Sequence, residues 1–131
     1  MVISSKISWQ NFWLIALLSY SAFIFYLSGK NDIKLPVYDI PFQDKVFHGV
    51  AYALMAYIAS RFFSSLSKTD WPLFWSWVYC LVYGASDEWH QSFVPGRYAD
   101  IFDWYADAAG AAVVLLVIFI YRSLQQTNTL R

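Results

Sequence analysis

The sequence predicts an all-α protein, an integral membrane four-helix bundle that forms a single domain over residues 1–131. Three observations predict it. Hydrophobic residues make up 59% of the chain and charged residues only 14%, too apolar for an ordinary water-soluble domain of this length. Four apolar stretches each approach the roughly 20 helical residues that cross a hydrocarbon core. Short polar segments separate them, two of which carry the turn formers Pro36, Pro41, Pro95 and Gly96.

The first span runs from about Trp9 to Leu27 without a charge; Trp9 and Trp13 suit an aromatic belt, and Gly29-Lys30-Asn31-Asp32 ends it. A cleaved signal peptide is the rival reading, because Lys6 precedes the apolar run. The run is long for such a segment, and no A-x-A-like site follows it. Residues 29–44 form a polar connector. The second span covers about 45–63 and closes at Arg61 and Ser64-Ser65-Leu66-Ser67-Lys68. Thr69 or Asp70 is placed to cap the third span, about 71–88, with Pro72 in its first turn, where the missing N–H costs little. That helix turns polar at Asp87-Glu88 and ends before Pro95-Gly96, which reads as a type II turn or a similar sharp corner. The fourth span is about 104–121, followed by Arg122 and a polar tail.

Nine basic and nine acidic residues cancel, which leaves neither a nucleic-acid footprint nor a polybasic tail for anionic lipid. Cys80 is the sole cysteine, so an intrachain disulfide and a multi-thiolate metal site are excluded. With four spans, connectors 29–44 and 89–102 fall on the same side of the membrane and can meet. An inward N-terminus puts Lys6, Arg61, Lys68, Arg122 and Arg131 in the cytoplasm, against Lys30, Lys34, Lys45 and Arg97 outside. The expectation is therefore a plasma membrane protein with both termini inside and its polar residues facing outward.

Those polar residues carry the chemistry. An ionised side chain at the centre of a span costs roughly 2.5–3.5 kcal/mol, so a dense cluster beside a span implies internal pairing, water or a ligand. Asp44, His48, Ala51 and Met55 share a face of the second helix, which points His48 into the bundle. There it is either a structural histidine or a proton carrier or metal ligand. Gly84, Asp87, Glu88 and Gln91 share a face of the third helix, turning Glu88 and Gln91 inward. His90 projects from another side, which lowers the metal reading. Asp100, Asp103 and Asp107 line the start of the fourth helix, with Asp107 about 6 Å below Asp103 at the level of His48. Ala106 and Gly110 form a small-xxx-small pair.

Near this mouth Asp44, Asp87, Glu88, Asp100, Asp103 and Asp107 face only two bases, Lys45 and Arg97. Arg97 is expected to hold one carboxylate bidentately and Lys45 another. The remaining acids must be hydrated, protonated or matched by a bound cation. Asp87 and Asp100 either face water or join the pocket; Glu88, Asp103 and Asp107 are read as buried. The sequence has no Gly-rich phosphate loop, no G-x-S-x-G and no H-E-x-x-H.

At these residues the chain resembles the VanZ-like family of small multi-pass bacterial membrane proteins. Two blocks carry the resemblance: Asp44-Lys45-x-x-His48 with Tyr52 and Leu54, and Asp87-Glu88-x-His90-Gln91-x-Phe93-Val94-Pro95-Gly96-Arg97 with Asp100, Asp103, Asp107 and Gly110. The chain departs where the family tends to carry a further glycine, having Ala111, Ala112, Val113 and Val114 instead. The resemblance implies a four-span membrane fold and a role in the cell envelope or in susceptibility to teicoplanin-type antibiotics.

Three functions compete. The first is a pocket built from Asp44, Lys45, His48, Tyr52, Glu88, Gln91, Arg97, Asp103 and Asp107 that binds a membrane lipid or lipid-linked ligand. The second is an enzyme with Glu88 or Asp107 as general base and His48 as its partner. The third is a purely structural polar network. No motif requires a cofactor, and a divalent metal enters only with the enzymatic reading.

Overall fold

Among the described residues, apolar runs punctuated by polar turns fold as four helices: α1 (Val2–Ser28), α2 (Gln43–Ser65), α3 (Pro72–Gln91) and α4 (Ile101–Thr129). The computed structural model describes residues 2–30, 41–66 and 68–129, with side chains for 9–30, 41–66 and 68–128. Residues 31–40, including Lys34 and Pro36, lie outside the described residues, as do Arg131 and the side chain of Lys6. No strand occurs among the described residues.

Among the described residues, three helices are long and apolar enough to cross a membrane: Trp9–Ser28 (20 residues), Gln43–Ser65 (23) and Ile101–Asn128 (28). The fourth expected span, α3, has 20 residues but is not among these three. Four of its polar side chains turn inward, for Ser76, Asp87, Glu88 and Gln91 are buried in the bundle. The interior is lined largely by small or polar side chains, among them Ala56, Ala59, Ser60, Ala111 and Asp107. Large apolar side chains such as Phe23, Val50, Leu116 and Phe119 face outward, each more than half exposed. Apolar outside with small and polar inside is the pattern expected when lipid is the solvent.

Hydrogen bonds fix the order of the helix ends. Gln10 Nε2 donates to Ser65 O at 2.6 Å, so α1 begins where α2 finishes. Arg122 donates to Ser64 Oγ at 3.1 Å, so the end of α2 lies beside Arg122 of α4, which runs on to Thr129. Arg61 stacks over Trp9 and Trp13 at this end. The opposite end gathers the ends of α1 and α3 with the starts of α2 and α4.

Helix α2 touches all three others, and its contact with α4 is the most extensive. The reason is a glycine crossing. A Cβ built on Gly110 would lie 2.0 Å from Gly49 O and 2.7 Å from Gly49 Cα, so the two backbones touch where only glycine fits. Gly110 is thus half of an interhelical contact with Gly49, a residue outside the Ala106/Gly110 pair expected to pack here.

The start of α3 differs from expectation. Trp71, not Thr69 or Asp70, is the residue before α3; its carbonyl accepts the first helical bond from Trp75 N–H at 3.2 Å. Trp71 has φ 62°, and Phe42 before α2 has φ 59°; neither provides a side-chain cap. Both rings are exposed, 76% for Phe42 and 78% for Trp71. After α3, Arg97 N–H donates to Val94 O at 3.0 Å across Pro95-Gly96, with Gly96 at φ 82°. That is a type II turn, in which the second corner position requires positive φ and so favours glycine.

Candidate functional site

Lys45 is in the first turn of α2, opposite the first turn of α4, and this placement makes it the hub of the acidic mouth. Its Nζ lies 2.9 Å from Asp44, 2.6 Å from Asp100 and 2.7 Å from Asp103. Asp44 and Asp100 are accessible, whereas the Asp103 side chain is only 13% exposed. The Lys45 ammonium beside Asp100 holds that carboxyl below its ordinary range. Asp100 also ties the helix start together: its Oδ1 accepts from Phe102 N–H at 2.9 Å. One lysine therefore serves three carboxylates, where one had been expected.

Behind Lys45, three helices bring His48, Glu88 and Asp107 together. His48 Nδ1 lies 3.0 Å from Asp107 Oδ1, and His48 Nε2 lies 3.8 Å from Asp103 Oδ2. Asp107 is 1% exposed and Glu88 8%. Glu88 Oε2 accepts from Asp100 N–H at 2.8 Å, which orients the carboxylate. The glycine crossing sets this arrangement, because Gly49 follows His48 directly and Gly110 lies one turn beyond Asp107. Gly84 leaves room on the third side: a Cβ there would meet Trp104 Cδ1 at 3.1 Å and Asp107 Oδ2 at 3.3 Å. Trp104 is itself fixed by a 2.9 Å bond from its Nε1 to Leu81 O.

Asp87 is buried at 3% exposure, which removes the water-facing alternative for it. Its Oδ2 accepts from Gln91 Nε2 at 3.3 Å, one turn along the same face of α3. His90 lies apart, stacked on Phe25 with centroids 4.1 Å apart and with Nδ1 3.2 Å from Ser28 Oγ. The bidentate Arg97–carboxylate pair does not occur among the described residues. Arg97 instead donates through Nε to Lys30 O at 3.1 Å and through Nη2 to Leu27 O at 3.3 Å. The last carbonyls of a helix lack intrahelical partners, and a cation there also meets the negative end of the dipole. Arg97 thus caps α1, and Lys45 takes over as the counter-charge.

A cavity of about 560 Å³ opens between the end of α1, the start of α2 and the end of α3. Ile24, Leu27, Phe47, Val50 and Ala51 are among its apolar lining, and Asp44, His48, Asp87, Gln91 and Arg97 among its polar lining. Tyr52 also lines it, with a buried hydroxyl that has no hydrogen-bond partner among the described residues. Of the sequence-predicted residues, Asp44, His48, Tyr52, Asp87, Gln91 and Arg97 reach this cavity. Glu88, Asp103 and Asp107 form the deeper cluster, and Lys45 bridges to the surface. Gly49 is a further residue of this arrangement, and its sequence signal is Gly49-x-x-x-Ala53, a small-xxx-small pair like the one on α4.

A protein-family model described as VanZ/LLP1 matches residues 2–122. No curated protein and no solved structure matches the chain.

Proposed function

The chain belongs to the VanZ/LLP1 family, and from that premise we propose that this membrane protein binds an amphiphilic or lipid-linked ligand. The cavity between α1, α2 and α3 holds the ligand. Its polar lining faces the outer surface of a bacterial plasma membrane, with both termini cytoplasmic, and occupancy alters the cell envelope or teicoplanin susceptibility. One observation carries this reading: the cavity is lined both by apolar side chains, Ile24, Leu27 and Val50 among them, and by polar ones, Asp87, Gln91 and Arg97 among them. An acyl or prenyl chain fits the apolar lining, and a head group that donates hydrogen bonds or carries positive charge fits the carboxylate and amide.

Filling the cavity tests this. Ala51 belongs to the apolar lining, so Ala51→Trp places an indole where the chain of the ligand would lie. Native mass spectrometry of protein extracted from its own membrane is expected to show a bound lipid species on the wild type. Occupancy falls about tenfold or more in Ala51→Trp, corresponding to about 1.4 kcal/mol of binding energy. Unchanged occupancy in a folded Ala51→Trp protein would sink the reading.

A second reading is an enzyme acting on a lipid-linked substrate, favoured by the 3.0 Å contact between His48 Nδ1 and Asp107 Oδ1. A carboxylate that orients an imidazole is a workable base pair. Its signature is turnover of a polyprenyl phosphate or phospholipid by purified protein, abolished in Asp107→Asn.

A further inference from the structure

We propose that His48, Glu88 and Asp107 bind a divalent first-row metal ion on the inner side of the cavity. One donor atom from each residue lies within 4.8 Å of the other two. The three come from α2, α3 and α4, so the bundle itself assembles the set. Tetrahedral zinc holds its nitrogen and oxygen ligands at roughly 2.0–2.2 Å, hence roughly 3.3 Å from one another, which side-chain rotation reaches from here.

Two free oxygens point to a ligand independently of the clustering. Glu88 Oε1 and Asp107 Oδ2 are buried with no hydrogen-bond partner among the described residues. Their side chains belong to residues 8% and 1% exposed. A buried polar atom left unpaired is costly, and a buried carboxylate more so. The charge of the cluster agrees, since Lys45 is occupied by Asp44, Asp100 and Asp103. Two carboxylates then share one imidazole, and a dication supplies the missing positive charge. One imidazole with two carboxylates suits zinc or manganese, whereas calcium and magnesium favour all-oxygen sites. The supporting contacts are in place: Asp100 N–H holds Glu88 Oε2, and Asp103 flanks His48 Nε2. Such outer contacts orient ligands in metal sites. The inference goes beyond the amphiphile reading and does not need it.

The experiment uses the full chain in lipid-free detergent, loaded with Zn2+ or Mn2+, dialysed against metal-free buffer and assayed for metal by mass spectrometry. A stoichiometric ion is expected on the wild type. In Glu88→Gln and Asp107→Asn the Kd rises by more than about 100-fold, beyond the roughly 10–100-fold typical for loss of an outer-shell partner. A folded wild type that releases all its metal overturns the proposal, as does an unchanged Kd in the two variants. Should the variants not fold, Co2+ on the wild type decides: paramagnetic shifts on the His48 ring support the site, and an unshifted His48 ring overturns it.

Discussion

Gly110→Ala is expected to destabilise the bundle by about 3 kcal/mol or more, at or above the upper end of the usual cost of overpacking. The added methyl would stand 2.0 Å from Gly49 O and 2.6 Å from Gly49 C, which are backbone atoms. No rotamer change can relieve that, so α2 and α4 must separate along their longest contact. Gly49→Ala provides the contrast, because its Cβ meets Ala106 O at 3.4 Å, an ordinary contact. There the helix propensity gained over glycine, up to about 1 kcal/mol, offsets the small crowding. Gly84→Ala falls between them, since the side chains of Trp104 and Asp107 can yield by a few tenths of an ångström. Thermal unfolding of the three variants in nanodiscs checks the ranking; a Gly110→Ala protein as stable as Gly49→Ala would refute the crossing.

Lys45→Met is expected to cost about 2 kcal/mol, the scale of a hydrogen bond between charged groups. It leaves the nearly buried Asp103 without its cation and beside two further acids. Adding Asp103→Asn removes the charge that Lys45 neutralised, so the double variant recovers part of the loss. Non-additivity is the result to look for, because the residues share one network. A double variant that melts below Lys45→Met alone would show that Asp103 is not the carboxylate that Lys45 chiefly serves.

Much of this fold can be read from the chain because apolar runs and turn residues are local signals. Pro95-Gly96 is a clear instance: the pair predicts a type II turn or a similar sharp corner, and Gly96 has the positive φ that the type II turn requires. Helix limits are harder where no breaker stands. Nothing from Arg122 to Thr129 stops a helix, so α4 continues to Thr129 past the expected end at 121. The deep cluster was legible for a related reason, as helical phasing alone directs His48, Glu88 and Asp107 inward. Arg97 was misjudged because its partners are carbonyls of α1, 67 and 70 residues away in sequence. No pattern local to Arg97 reports where another helix ends. The same holds for Asp87, whose burial depends on how α1 and α2 close over α3, and for Gly49, whose partner lies on α4.

The two aromatic residues with positive φ, Phe42 and Trp71, set a depth scale for the whole molecule. A bulky residue in the left-handed region stores of order 1–3 kcal/mol of strain, and an exposed ring at a membrane boundary is a suitable anchor to offset it. With Phe42 at the head-group layer, α2 descends about 1.5 Å per residue, so His48 lies only about 9 Å below it. The acidic cluster then occupies the shallow, partly hydrated rim of the bilayer. On the readings proposed above, an ion or a polar head group arriving from water would reach it without crossing hydrocarbon, and an acyl chain would reach the neighbouring cavity from the lipid side.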